Sequence, residues 1–209
     1  MSASPLYSPQ QGDTQSSSFA LLAPDQCTVA FGIPLTLQDF LAARNEGKDL
    51  ATQYSEVDYE YFVLRTCDQV LPHLRRMKVN LRPAITSHEL HQLFSGPHSE
   101  FILLVAHWVE DRIELADGCI SVDSFIDSVP PSYSGILDLC VCHPRELALK
   151  LNAERPLCTV KFSHQTMAVD LWMRFYLALF TYMRGNRVTY LQAFERIFTA
   201  FIAYARTRP

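Results

Sequence analysis

Short apolar runs along the chain alternate with segments in which apolar residues recur at helical spacing. Residues 101–106 are continuously apolar and residues 135–141 nearly so, which is typical of strands buried on both faces of a parallel sheet. Between them, Asp117-Gly118 separates two short alternating segments and predicts a β-hairpin. Further strands are predicted at residues 59–66, 78–81 and 157–162.

Capping residues and helical periodicity predict helices between these strands. Thr86 and Glu89 form a capping box, the clearest of the helix starts. Helices are predicted at residues 37–44, 68–77, 87–95, 122–129, 145–152, 167–184 and 188–206. The last two carry an aromatic stripe that we interpret as core. Strands alternating with helices predict an α/β fold, a three-layer α/β/α sandwich with a mostly parallel sheet.

Composition divides the chain into three parts. Residues 1–24 carry one charge, Asp13, and are rich in Ser, Gln and Pro, which predicts a flexible N-terminal tail. We interpret residues 25–57 as a helical lead-in and connector, and residues 58–209 as the α/β domain.

Charge and glycine content exclude several function classes. The 209 residues carry 18 basic and 22 acidic side chains, so no basic field favours nucleic acid or an anionic membrane surface. No two of the seven glycines lie within ten residues, which excludes a dinucleotide fingerprint and a phosphate-binding loop. Without an export signal or a membrane-spanning apolar run, we expect a cytoplasmic protein, with its six cysteines as thiols. No cofactor is expected.

Two reactive side chains follow the two most apolar runs. His107 comes directly after residues 101–106, and Cys142 ends the second run. Ligands of open α/β sheets bind beyond the carboxyl ends of the strands, so neighbouring strands would bring this imidazole and thiol together. Such a pair can make a thiol nucleophilic. Cys140 is interpreted as core, although a shift of the strand end would exchange its role with that of Cys142.

The same thiols permit an alternative, a structural zinc site. The candidate ligands are Cys140, Cys142, His143, Cys158 and His164. Structural zinc sites usually use Cys-x-x-Cys on a turn, whereas a one-residue gap on a strand separates the thiols. We therefore predict no metal.

The order of elements between residues 101 and 142 resembles that of the caspase-like cysteine peptidases, the clan of caspases, gingipains, separases and CHAT domains. It consists of a buried strand ending in His107, a hairpin, a helix, and a buried strand ending in Cys142. The resemblance covers roughly residues 58–206 and makes residues 58–209 a caspase-like domain. The C-terminal helices are closest to a CHAT domain, at Phe175, Tyr176, Gly185 and Tyr190.

The resemblance implies a cysteine endopeptidase that cleaves protein substrates. Cys142 would be the nucleophile and His107 its base or imidazolium partner, with the backbone N–H groups of Trp108 and Cys142 as the oxyanion hole. Substrate-binding residues would follow the first strand, where Arg65 would select an acidic side chain and Asp68 a basic one. Trp108 would be either a wall for a substrate side chain or a lid packed over the sheet edge.

Family analogy adds expectations about biology. A separately encoded regulatory protein partner and a role in bacterial defence or regulated proteolysis are implied. The charge balance separately predicts no nucleic-acid or membrane partner. The alternative function is a catalytically inactive caspase-like module that acts as a protein-binding scaffold.

Overall fold

The computed structural model describes residues 22–47, 50, 53–109, 111–141, 144–162 and 169–206. Its strands are β1 (Cys27–Phe31), β2 (Asn80–Arg82), β3 (Phe101–Val105), β4 (His107–Val109), β5 (Arg112–Leu115), β6 (Gly118–Ser121), β7 (Ile136–Cys140) and β8 (Thr159–Phe162). A central sheet has the order β2-β1-β3-β7-β8, and all its neighbouring strands are parallel. A small antiparallel sheet, β4-β5-β6, is inserted between β3 and β7.

Helices pack against both faces of the central sheet. They are α1 (Leu37–Asn45), α2 (Glu56–Tyr59), α3 (Arg65–Gln69), α4 (Leu71–Arg76), α5 (Ser87–Leu93), α6 (Val122–Ser128), α7 (Arg145–Glu154), α8 (Val169–Asn186) and α9 (Tyr190–Arg206). One core cluster joins the sheet to α4, α8 and α9, and a second joins it to α5, α6 and α7. The protein is therefore α/β with flanking helices, an arrangement compatible with a three-layer sandwich.

Most of the predicted elements are confirmed. The two apolar runs are the central strands β3 and β7, every residue of β3 is buried, and the predicted strand at residues 157–162 is β8. The strand predicted at residues 78–81 lies slightly later, as β2. The aromatic stripe is core, because Phe175 of α8 is fully buried against rings of α9.

The strand predicted at residues 59–66 is wrong, because this segment is helical. Helix α2 begins at a capping box in which Ser55 and Asp58 bond each other's backbone N–H groups. A π-helical turn (Glu60–Leu64) then connects α2 to α3. The buried positions follow a helical spacing, at Tyr59, Val63, Thr66 and Val70. Capping and helical burial thus outweigh the β propensity of the local sequence.

A central strand occurs where the sequence predicted a lead-in. All five residues of β1 are buried, and β1 pairs with both β2 and β3. Leu22 and Pro24, two of the last three residues assigned to the flexible tail, are also buried. The rest of that predicted tail, residues 1–21, lies outside the described residues.

The hairpin is confirmed, with its turn one residue earlier than predicted. Leu115 and Gly118 are register partners, so Ala116 and Asp117 form the two-residue turn. Gly118 has a φ of 128°, a backbone conformation that favours glycine. Among the described residues, no helix combines the length and the apolar character that crossing a membrane would require.

Candidate active site

The carboxyl ends of β3 and β7 lie side by side. Val105 and Cys140 are register partners, and the Ala106 N–H donates to the Cys140 carbonyl oxygen over 3.3 Å. His107 follows Ala106 directly, so it lies at this edge of the sheet. Cys142 lies two positions beyond Cys140 in the sequence, outside the described residues. The adjacency of strands on which the predicted dyad depends is therefore present.

His107 is the first residue of β4 rather than a loop residue. In the β4-β5-β6 sheet, Glu114 is the register partner of both His107 and Cys119. Directly paired residues of antiparallel strands share a face, so these three side chains form one polar row. His107 is half-buried and Cys119 is exposed.

The row also contains an ion pair from a distant part of the chain. Arg44 of α1 pairs through Nη1 with Glu114 Oε2. The Arg44 side chain is only 6% exposed and that of Glu114 16%, so solvent screens the pair weakly. Burial lowers the pKa of the Arg44 guanidinium, which nevertheless stays charged, as arginines in proteins do. Glu114 is thereby fixed beside β4.

The hairpin is anchored to three other parts of the fold. Gly32, directly after β1, approaches the Glu114 backbone so closely that an added Cβ would lie 2.7 Å from the Glu114 carbonyl oxygen. The Ala116 N–H donates to the Ile85 carbonyl oxygen over 3.0 Å. Asp117 accepts hydrogen bonds from the backbone and hydroxyl of Ser87 at the start of α5. These contacts leave the strand that carries His107 on a rigid support.

Trp108 packs on the face of this sheet opposite His107. Its register partner is Ile113, which is fully buried in the core cluster that includes α5, α6 and α7. Trp108 is half-buried against the same cluster. Successive residues of a strand point to opposite faces, so the ring does not share a face with the His107 imidazole. This packing matches the lid alternative rather than the wall.

Arg65 and Asp68 do not follow a strand, as their predicted place in a binding site required. Both are exposed on α3, and the strand that they were expected to follow is a helix. The segment after β1 is instead covered by this helical region, through bonds from Tyr59 Oη and Cys67 Sγ to the Leu35 carbonyl oxygen. The Arg65 guanidinium lies 5.8 Å from the Tyr61 ring centroid.

The two described cysteines of the zinc alternative pack on opposite faces of the central sheet. Cys140 is half-buried against the cluster with α8 and α9, whereas Cys158 is buried in the other cluster. Burial raises the pKa of the Cys158 thiol to about 12. Cys142, His143 and His164 lie outside the described residues. One ion cannot reach Cys140 and Cys158 across the sheet.

A buried charge cluster lies on the same face of β7 as Cys140. Asp138, 1% exposed, accepts a 2.8 Å hydrogen bond from Lys161 Nζ and another from Tyr190 Oη. The Lys161 ammonium lies 3.5 Å from the Phe194 ring centroid. Burial lowers the pKa of Lys161, and burial together with the charge of Asp138 raises the pKa of Tyr190 well above its usual value. The cluster joins β7 and β8 to α9.

A polar cleft of about 370 Å³ opens at the other end of the sheet. Its lining includes Ser99 and Glu100, just before β3, and Ser134 and Gly135, just before β7. The cleft is therefore separate from the carboxyl edge that carries His107.

Sequence reasoning singled out His107 but not Arg44, Glu114 or Gly32, which lie around the hairpin beside it. A charge at position 114 between Ile113 and Leu115 was a local signal, because it alternates with buried residues. Its partner Arg44 belongs to a different part of the chain, and no local pattern links the two.

Because the comparisons with protein families and curated proteins found no match, a function for this chain has to be argued from its own residues. No protein-family model matches the chain, and no curated protein matches it significantly. The fold defines the class, an α/β protein whose central sheet is parallel and has His107 at its carboxyl edge.

Proposed function

We propose that the protein is a caspase-like cysteine endopeptidase that cleaves protein or peptide substrates with Cys142 and His107. One observation carries the proposal, the register between Val105 of β3 and Cys140 of β7. His107 and Cys142 each stand two positions beyond this pair in the sequence. A histidine and a cysteine thus follow the ends of two neighbouring parallel strands at the same distance in the sequence.

The order of elements supports the caspase-like assignment. After β3 come His107, the hairpin strands β5 and β6, helix α6, and then β7 as the direct neighbour of β3. This is the order on which the resemblance to the clan rests. The central position of both strands in a parallel sheet is also what a site at the carboxyl edge requires.

The proposed reaction uses only groups of this chain and water. The Cys142 thiolate attacks the scissile carbonyl carbon, and the carbonyl electron pair moves onto oxygen, where the backbone N–H groups of Trp108 and Cys142 stabilise it. The C–N bond then breaks, and the His107 imidazolium gives its proton to the leaving amine. Water, deprotonated by His107, attacks the thioester, and the thiolate leaves.

The test is the pH dependence of cysteine alkylation by iodoacetamide, read for each cysteine by peptide mass spectrometry. We expect Cys142 to react with an apparent pKa below the free-thiol value of about 8.5, because a nearby imidazolium stabilises the thiolate. His107→Ala should remove this advantage. Free N-acetylcysteine, alkylated under the same conditions, serves as the reference thiol, because Cys119 lies in the polar row beside Glu114.

His88→Ala is the matched control, because His88 is exposed on α5. It should leave Cys142 alkylation unchanged. A Cys142 that reacts no faster than N-acetylcysteine, with or without His107, would remove the nucleophile and favour the inactive scaffold. A fast Cys142 instead justifies screening peptide libraries for cleavage, which would also report the preferred substrate side chain.

Biological context follows from the resemblance alone. We propose a cytoplasmic protein that acts beside a separately encoded regulatory protein, with bacterial defence as the process. Co-purification of the partner with a Cys142→Ala variant would test this.

A further inference from the structure

His107 faces an acidic side chain across the small sheet. His107 of β4 and Glu114 of β5 are register partners, and such pairs place their Cβ atoms about 4.5–5.5 Å apart. A glutamate side chain spans that distance readily. Because Trp108 and Ile113, the next pair, pack into the core, the orientation of the His107–Glu114 pair is fixed by alternation.

Glu114 is held in place independently of His107. Arg44 binds its Oε2 from α1, and Gly32 lies against its backbone. A buried arginine that holds the carboxylate also keeps it ionised. Glu114 therefore keeps a negative charge opposite His107 whether or not the imidazole is protonated.

We propose that Glu114, anchored by Arg44 opposite His107, is a positioning residue whose charge favours the imidazolium form of His107. This inference rests on the proposed function, because the imidazolium matters only if it stabilises the Cys142 thiolate. The arrangement is a relay of alternating charge, guanidinium to carboxylate to imidazolium. It extends the two-residue dyad by two residues from β5 and α1.

Other charges near the row do not replace this effect. The described charged or titratable side chains beside the row or at the adjacent strand ends are Arg44, Tyr54, Arg112, Cys119 and Cys140. Of these groups the two arginines are positive at neutral pH and would disfavour an imidazolium. The carboxylate directly opposite His107 is the group that can favour it.

The test measures the pKa of His107 in the full chain by NMR titration of the histidine ring carbon-bound protons. Glu114→Gln should lower the pKa of His107 by about one unit, since removing an adjacent opposite charge destabilises the imidazolium. The apparent pKa of Cys142 should rise in parallel, and its alkylation near neutral pH should fall by up to about tenfold. Glu114→Asp, which keeps the charge, should restore part of both values.

Two further variants keep the test decisive. Glu100→Gln removes a carboxylate from the opposite end of β3 and should change neither pKa. Because Glu114→Gln alone leaves Arg44 buried without its partner, the double variant Arg44→Met/Glu114→Gln removes both charges and should still lower the pKa of His107, by less.

The outcomes separate the two proposals. If neither Glu114→Gln nor the double variant changes the pKa of His107 while His107→Ala still slows Cys142, the positioning role is wrong and the peptidase proposal stands. If Glu114→Gln lowers the pKa of His107 while His107→Ala leaves Cys142 unaffected, the peptidase proposal fails and the contact alone is supported.

Discussion

Gly32 and Glu114 meet at a point that admits no side chain. A Cβ on Gly32 would lie 2.7 Å from the Glu114 carbonyl oxygen and 3.2 Å from Ala106 Cβ. The first neighbour is backbone and cannot rotate away. Gly32 also donates its N–H to the Val105 carbonyl oxygen over 2.8 Å, which ties the end of β1 to the end of β3. This glycine therefore sets the distance between the central sheet and the hairpin strand opposite His107.

Gly32→Ala should destabilise the protein, because the hairpin must move to make room for the methyl group. Overpacking of this kind costs about 1–3 kcal/mol, more than the gain of about 0.4–1 kcal/mol from a stiffer unfolded chain. Urea unfolding followed by circular dichroism measures the change in the free energy of unfolding. The ring resonances of His107 should shift in the same variant.

Gly185→Ala is the matched control for this substitution. Gly185 lies within α8, and nothing stands within 4 Å of an added Cβ. Alanine is favoured over glycine inside a helix by about 0.5–1 kcal/mol, so this variant should be more stable than wild type. Equal stabilities of the Gly32→Ala variant and wild type would contradict the close approach of the hairpin.

The Asp138–Lys161 ion pair joins strands β7 and β8, and Asp138 also accepts a hydrogen bond from Tyr190 of helix α9. Asp138→Asn should destabilise the protein by about 3–5 kcal/mol, because it leaves the Lys161 ammonium buried without its counter-charge. Chemical denaturation measures the loss. Replacing both partners, as in Asp138→Leu/Lys161→Met, should recover most of it, since removing a whole buried pair is often neutral.

Asp123→Asn provides the comparison for this prediction. The Asp123–Lys150 pair joins α6 to α7 with both side chains well exposed, at 77% and 42%. Exposed pairs contribute about 0–1 kcal/mol, so this variant should unfold nearly as wild type does. An Asp138→Asn variant as mild as Asp123→Asn would show that water reaches Lys161.

Elements with strong local signals could be predicted from the sequence. The apolar run of β3 and the capping box of Thr86 and Glu89 needed no tertiary information, and both are confirmed. The segment from residue 59 to residue 66 failed because its β-prone residues also fit a helical burial pattern. Strand β1 was not predicted because it contains the polar Thr28, whereas the equally long β3 is entirely apolar. Its neighbours β2 and β3 are also distant from it in the sequence.

Some residues of the candidate site can be predicted from local sequence patterns, whereas the positions of others depend on how the whole chain folds. His107 was predicted because it follows a recognisable strand. Arg44 lies 70 positions before Glu114, so their pairing depends on packing α1 against the hairpin. The position of Cys142 relative to His107 stays a prediction, which the alkylation experiment tests directly.

Buried cysteine and tyrosine side chains predict how the free energy of unfolding changes at alkaline pH. Among the described residues, burial raises the pKa of seven groups from ordinary values of 9.0 for cysteine and 10.0 for tyrosine: Cys27, Cys67, Cys158, Tyr59, Tyr133, Tyr176 and Tyr190. The unfolded chain loses these protons first, so the free energy of unfolding is unaffected below about pH 8 and falls above about pH 9. Each group contributes up to about 1.4 kcal/mol per pH unit. Lys161, whose pKa is lowered, opposes this as a single group.

Urea unfolding at intervals from about pH 7 to about pH 11, in the presence of a reductant, measures this slope. Tyr133→Phe should make the slope shallower by up to about 1.4 kcal/mol per pH unit, the contribution of one titrating group. The buried Tyr133 hydroxyl, which donates to the Ser99 carbonyl oxygen, is absent from this variant. Tyr61→Phe should leave the slope unchanged, because Tyr61 is 50% exposed. A stability that stays flat up to about pH 11 would mean that the core admits water or that the phenols ionise in place, which a tyrosinate absorbance titration of the folded protein distinguishes.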